Sequence, residues 1–220
     1  FTVWVNQNGE RFCDEAITFR ATECGNAVCR QPRKRAYVLF DEGLINKIEE
    51  SGFLRGGVHG IHVTAGVPLH NLRDALETET PRGGVKISGS WDGIAEWMGA
   101  SPRALKGTVE EYNKCCEQGY DGVFNKERRY LYALRNPPFY GIECCVSCLD
   151  TIGGIKINHR TEVITKEFEA IPGLYAAGTD ACSIFGDSYV FVLPGNTMGF
   201  AVNSGRIAGE NAAAYAKSVK

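Results

Sequence analysis

The feature that most constrains this chain is a helix written with both of its ends. Ser101-Pro102 reads as an N-cap followed by proline at the first helical position, and apolar residues then recur at Leu105, Val109, Tyr112 and Cys116 until Gly119. A stripe at three- and four-residue spacing is one-faced, so the segment needs a partner surface to cover it. The 220 residues are 44% hydrophobic and 23% charged, enough for one large domain or two small ones.

Around that helix the signals alternate between strand and helix. Thr2 to Val5 and Arg11 to Cys13 flank an Asn8-Gly9 turn signal and read as a hairpin. Glu15 to Cys29 reads weakly as a helix, and Ala36 to Phe40 as a short apolar strand. Asp41 caps a helical stretch from Glu42 to Glu50 that Gly52 stops. Asn71 to Glu79 and Trp91 to Met98 read as two further helices. Past Pro137-Pro138 the texture changes to short strands, expected at 139–146, 154–157 and 174–177. A final helix is expected over 196–216 despite Gly199, Gly205 and Gly209, each costing about 1 kcal/mol relative to alanine. Glycine retained at that cost implies close packing against backbone or ligand. The glycine-rich stretch 55–66, with His59 and His62, is a loop that either faces a site or lies on the surface.

A formal net charge of -2 gives no basic stripe, so nucleic acid and anionic membrane surfaces lack electrostatic support and small molecules are the expected partners. No apolar run approaches the roughly 20 residues of a spanning helix. The chain opens on Phe1 inside an apolar alternating run, from which a missing natural beginning is expected. Nine cysteines, with Cys115-Cys116 and Cys144-Cys145 adjacent, point to a reducing compartment, and a cytoplasmic location follows as the expectation. Cys144-Cys145 with Cys148, and Cys13, Cys24 and Cys29, raise a cysteine-ligated metal protein as a rival reading. The second Cys-x-x-Cys knuckle of such sites is absent, so no metal ligand is assigned.

Three stretches together resemble the superfamily of FAD-dependent fumarate reductases, urocanate reductases and 3-ketosteroid dehydrogenases. They are Val5-Asn6-Gln7-Asn8-Gly9-Glu10-Arg11-Phe12-Cys13-Asp14-Glu15, then Thr151-Ile152-Gly153-Gly154-Ile155, then Ile171-Pro172-Gly173-Leu174-Tyr175-Ala176-Ala177-Gly178 with Gly205-Arg206-Ile207-Ala208-Gly209. Ser101 to Asn113 also resembles the family's cap helix. The resemblance implies an α+β fold: a flavoprotein capping domain over residues 1–149 and, over 150–220, an incomplete C-terminal segment of the FAD-binding domain. The Gly-x-Gly-x-x-Gly turn that holds the pyrophosphate in this family occurs nowhere in the chain, so the N-terminal dinucleotide-binding half is expected to be a missing partner, and the piece alone to bind FAD weakly or not at all.

What the resemblance implies chemically is hydride transfer, by non-covalently held FAD, to or from an activated carbon-carbon bond, with an electron donor not legible here. The cofactor-contacting residues it implies are Gly153, Gly154, Ala177, Gly178, Thr179, Asp180, Gly195, Asn196, Thr197 and Met198. The helix opening at Gly195 would aim its N-terminal dipole at the flavin, although the family often has glutamate where this chain has Thr179-Asp180. Catalytic candidates are Arg20, close to the family's proton-donating arginine but shifted by one residue; Tyr189, placed to polarise a carbonyl or else a packing residue; and Asp150, where dicarboxylate reductases carry histidine. Val192 falls where those enzymes have a carboxylate-clamping arginine. Without that clamp, and with an added acid, fumarate and succinate are poor substrates and an enone or enoate is expected. A stand-alone, non-catalytic binding module is the other rival.

Overall fold

The computed structural model describes residues 2–55, 64–147, 151, 153–185 and 195–219. It divides into two compact units, Phe1–Val146 and Ser147–Lys220. Both mix helix and strand.

The first unit is a three-layer arrangement around an antiparallel sheet. Its strands, β1 (Val3–Val5), β2 (Arg35–Asp41), β3 (Val85–Ser88) and β4 (Phe139–Cys145), lie in the order β1-β2-β4-β3. The central pair runs from Arg35 opposite Cys145 to Asp41 opposite Phe139. Because successive side chains of a strand point to opposite faces, β2 feeds both layers. Tyr37 and Leu39 join Val3 and Val5 on one face, against Ile94 and Met98 of α4 (Trp91–Met98) and Leu105, Val109 and Tyr112 of α5 (Pro102–Gln118). Phe40 joins Tyr140 and Val85 on the other, against Leu44, Ile45 and Ile48 of α2 (Glu42–Ser51) and Leu76 of α3 (Leu72–Glu79). The stripe on α5 thus covers one face of the sheet.

Helix ends follow the local chemistry. The Ser101 hydroxyl accepts from the Ala104 N–H and the Ser90 hydroxyl from the Gly93 N–H, while Gly119 and Gly99 close α5 and α4 in left-handed backbone. Asp41 does more. Fully buried, its carboxylate accepts from the Leu44 N–H at 3.0 Å and from the Arg135 and Asn136 N–H groups at 2.7 and 2.8 Å, tying the start of α2 to the segment before β4.

Several expectations shift. The helix read over 15–29 is broken into a 3-10 turn, Glu15–Phe19, and α1 (Ala21–Cys29). The opening hairpin reduces to β1, a tight turn at Gly9 and a single bridge between Val5 and Arg11. The short strand β3 lies outside the elements expected from the sequence.

The second unit pairs β5 (Glu162–Ile164) with β6 (Ala170–Tyr175), followed by a 3-10 segment, Gly178–Phe185, and the 23-residue α6 (Asn196–Ser218). The strand expected at 154–157 is only a bridge from Ile157 to Val163, and the one expected at 174–177 runs earlier, ending at Tyr175. Asn211 fastens α6 to the hairpin: its side chain accepts from the Arg160 guanidinium and donates to the Arg160 carbonyl, while its own carbonyl accepts from the Tyr175 hydroxyl. Among the described residues, a side chain added at Gly199, Gly205 or Gly209 meets nothing within 4 Å.

Candidate functional site

In the first unit, the residues of the Arg11–Glu15 motif build a buried ionic cluster. Glu15 and Arg11 pair at 2.9 Å, Arg11 reaches Asp121 at 2.8 Å, and Lys126 reaches Glu15 at 3.1 Å and the Thr2 carbonyl at 2.7 Å. The Tyr112 ring lies against both cations, at 5.0 Å from Arg11 and 4.9 Å from Lys126. Burial opposes the charge on each member. For Glu15 it is outweighed by the Arg11 hydrogen bond and the nearby Lys126, which hold the carboxyl below its usual range. Asp121 also ends low: burial raises it, but Arg11 and the Phe124 and Val123 N–H groups bring it down to about 2. Lys126 is the exception, its affinity for a proton lowered by burial that Glu15 only partly offsets.

The cluster anchors the walls of a cleft. Asp14 caps the Glu15–Phe19 turn by accepting from the Ala16 N–H, and the turn ends at Arg20, whose N–H donates to the Ile17 carbonyl at 2.8 Å. Arg20 itself is exposed. It lines an open cleft of about 550 Å³ with Asp14, Glu23, Arg55, Glu127 and Tyr130; Glu127 follows the anchored Lys126 directly. A narrower slot of about 160 Å³ shares Phe19, Arg55 and Tyr130 with that cleft and runs on to Leu44, Ile48, Phe53 and Leu54. The Arg55 guanidinium sits 4.3 Å from the Phe19 ring centroid, at the junction of the two.

In the second unit, three of the sequence-selected segments meet. Gly153 and Gly154 hold φ of 108° and 62°, a turn that glycine takes without a side-chain penalty. The next residue, Ile155, donates its N–H to the Asp180 carbonyl at 2.7 Å, placing that turn beside Thr179 and Asp180. The Gly178 N–H donates to the Ser204 hydroxyl of α6 at 2.9 Å, and a side chain at Gly178 would stand 3.7 Å from Ala201. Ala177, half-buried, precedes it. Six residues before Ala201, Gly195 opens α6 with φ of 77°, no side-chain cap and, among the described residues, nothing within 4 Å of where a side chain would project. Asn196 and Thr197 are half-buried and Met198 is 73% exposed. A small-residue surface of this kind, ending in the N-terminus of a long helix, fits a flat cofactor bearing carbonyl oxygens.

A model of the FAD binding domain matches residues 2–197. The chain belongs to the FAD binding domain family. Similar proteins include the vinyl phenol reductase of Lactiplantibacillus plantarum, 33% identical over 97% of this chain and 43% of the relative. The NADH:acrylate oxidoreductase of Vibrio harveyi is 32% identical over 96% of this chain and 18% of the relative. Among solved structures, the open conformation of a flavocytochrome c3 fumarate reductase matches with a TM-score of 0.68 and 25% identity, covering 98% of this chain and 33% of that one. This FAD binding domain chain therefore spans less than half the length of these relatives.

Of the catalytic candidates of this FAD binding domain chain, Arg20 lies on the cleft, while Tyr189 and Asp150, like Val192, His59, His62 and Cys148, fall outside the described residues. Sequence reading passed over Asp121, Lys126, Arg55 and Glu127. A signal existed for the first two: a buried arginine four residues before a glutamate needs further polar partners, but their positions over 100 residues away are set by the fold. No group of three potential metal ligands occurs among the described residues, and Cys13, Cys24, Cys29, Cys115, Cys116, Cys144 and Cys145 are free. No described helix is long and apolar enough to cross a membrane.

Proposed function

We propose that the first unit, with a boundary near residue 149, is the substrate-capping domain of an FAD-dependent oxidoreductase acting on activated carbon-carbon double bonds, and that 150–220 is the C-terminal segment of its FAD-binding domain. The named activities of similar proteins, on vinyl phenol and on acrylate, share that bond type. The observation that carries the reading is the meeting of the Gly153-Gly154 turn, the Gly178 segment and α6, at Ala201 and Ser204, in one small-residue surface.

FAD, when bound, supplies hydride transfer. The residues of this chain that would hold it, without a covalent bond, are Gly153, Gly154, Ala177, Gly178, Thr179, Asp180, Gly195, Asn196, Thr197 and Met198. The α6 N-terminus favours negative charge nearby through its dipole. Arg20 holds or delivers a proton at its guanidinium on the cleft, Tyr189 polarises a substrate carbonyl through its hydroxyl, and Asp150 disfavours dicarboxylate substrates by its charge. The pyrophosphate-holding turn comes from a dinucleotide-binding half outside these residues. Reducing equivalents come from a separate donor, in a reducing compartment such as the cytoplasm.

The test is to express the chain within its full reading frame and assay enoates and enones by reoxidation of bound flavin. Turnover of an enoate or enone, with fumarate and succinate poor, is the expected result. A product that purifies colourless and takes up no added FAD sinks the proposal.

A further inference from the structure

Among the described residues of α6, the buried one is Ser204, although it is polar and serine is a poorer helix former than alanine. A buried hydroxyl needs partners, and the bonds of this one have a direction. Its single proton goes to the Phe200 carbonyl one turn earlier, at 2.6 Å, with the Ala201 carbonyl farther off at 3.4 Å. A hydroxyl whose proton is engaged has lone pairs left to offer, and the Gly178 N–H donates to one of them at 2.9 Å.

The other groups at this crossing are small. Gly178 has no side chain and holds φ of 66°, and a side chain there would stand 3.7 Å from the Ala201 methyl group. Contact between glycine and alanine is not directional, so the hydrogen bond fixes the approach. What it fixes extends along the chain. The Asp180 carbonyl accepts from the Ile155 N–H at 2.7 Å, which couples the Gly153-Gly154 turn to the Gly178 segment. The Ala176 N–H donates to the Thr161 carbonyl at 3.1 Å, a bond to the hairpin and not to α6. The hairpin is held to α6 independently, by Asn211 and by the close approach of Tyr215 to Gly173. Releasing Gly178 from Ser204 therefore frees both glycine segments to move against α6 while the hairpin stays docked.

We propose that Ser204 is a positioning residue for the cofactor: its hydroxyl, through the Gly178 N–H, sets where the two glycine segments stand against α6, and with that how FAD seats. Only 3% exposed, Ser204 acts through Gly178 and not by touching the flavin. The proposal rests on the FAD reading above.

The test is Ser204→Ala in the full-reading-frame protein. The substitution removes the acceptor while improving helix propensity, so it does not by itself weaken α6. Amide hydrogen exchange over 174–180, followed by mass spectrometry, is expected to speed up at least tenfold. The FAD dissociation constant is expected to rise at least tenfold, and the visible absorption bands of the flavin at saturation to shift. The unfolding midpoint without FAD is expected to stay within about 5 °C of wild type. Exchange, affinity and spectrum unchanged from wild type overturn the positioning role and leave the FAD reading standing. A midpoint lowered by more than that, with faster exchange spread over β5, β6 and α6, assigns Ser204 to the fold alone and also overturns it. A wild type that takes up no FAD overturns the FAD reading, and this proposal with it.

Discussion

Replacing Asp121 by asparagine tests whether the buried ionic cluster positions the cleft by charge or merely by shape. Asparagine keeps an oxygen for the Val123 and Phe124 N–H groups, so the turn after α5 survives, and the charge facing Arg11 at 2.8 Å is removed. Asp121 sits at about 2 against an ordinary value of 3.8, and its side chain is fully buried, so no solvent discount applies. At 1.36 kcal/mol per pH unit, the shift corresponds to about 2 to 3 kcal/mol of folding free energy. The sign follows from the depression. The contribution is complete above the unfolded value near 4 and disappears as pH falls through about 2, because the unfolded chain then takes up the proton first. Urea denaturation followed by tryptophan fluorescence is therefore expected to show the variant about 2 to 3 kcal/mol less stable at pH 7, with roughly half that gap left at pH 3. A gap below about 1 kcal/mol at pH 7, or one that does not narrow between pH 4 and pH 3, refutes the assignment of that free energy to the Asp121 charge.

Asp41→Ala removes the acceptor of three backbone N–H groups inside the core and is expected to cost about 3 kcal/mol or more in the same denaturation assay, well beyond an exposed helix cap. Burial pushes the Cys13 thiol up to about 12 and the Cys144 thiol up to about 11, so both stay protonated at pH 8. Mass spectrometry of the native chain treated with iodoacetamide is expected to find exposed Cys29 and Cys145 modified well before Cys13 and Cys144.

How much of this was legible depends on how far each signal reaches. Asp41 with Gly52, Ser90 with Gly99 and Ser101 with Gly119 mark helix ends within a few residues of the hydrogen bonds they make, and the corresponding helices lie where expected. The break at Arg20 is invisible to the same logic, because neither glycine nor proline marks it. Arg20 there leaves the helical region, with φ of -126° and ψ of 88°. Strands β3 and β5, at four and three residues, are fixed by partners rather than by periodicity. Likewise, Gly154 to Ile157 has the composition of a strand but reduces to a bridge between Ile157 and Val163.

The glycines divide along the same line. At Gly153, Gly154, Gly178 and Gly195 the reason for glycine is written into the backbone, since all four hold positive φ. At Gly199, Gly205 and Gly209 it is not: the helix is regular there and, among the described residues, no neighbour comes within 4 Å of where a side chain would stand. Met198 and Val202 on the same helix are exposed too, at 73% and 68%, so the helix carries exposed apolar surface. Each interior glycine costs helix stability of about 1 kcal/mol, which local structure does not return. Under the proposed function the return comes from FAD and the dinucleotide-binding half. Replacing Gly205 and Gly209 by alanine then separates the two accounts: the chain alone should gain thermal stability, through helix propensity, while FAD uptake by the full-reading-frame protein should fall. A double variant that gains stability and binds FAD as wild type does removes these glycines from the cofactor surface.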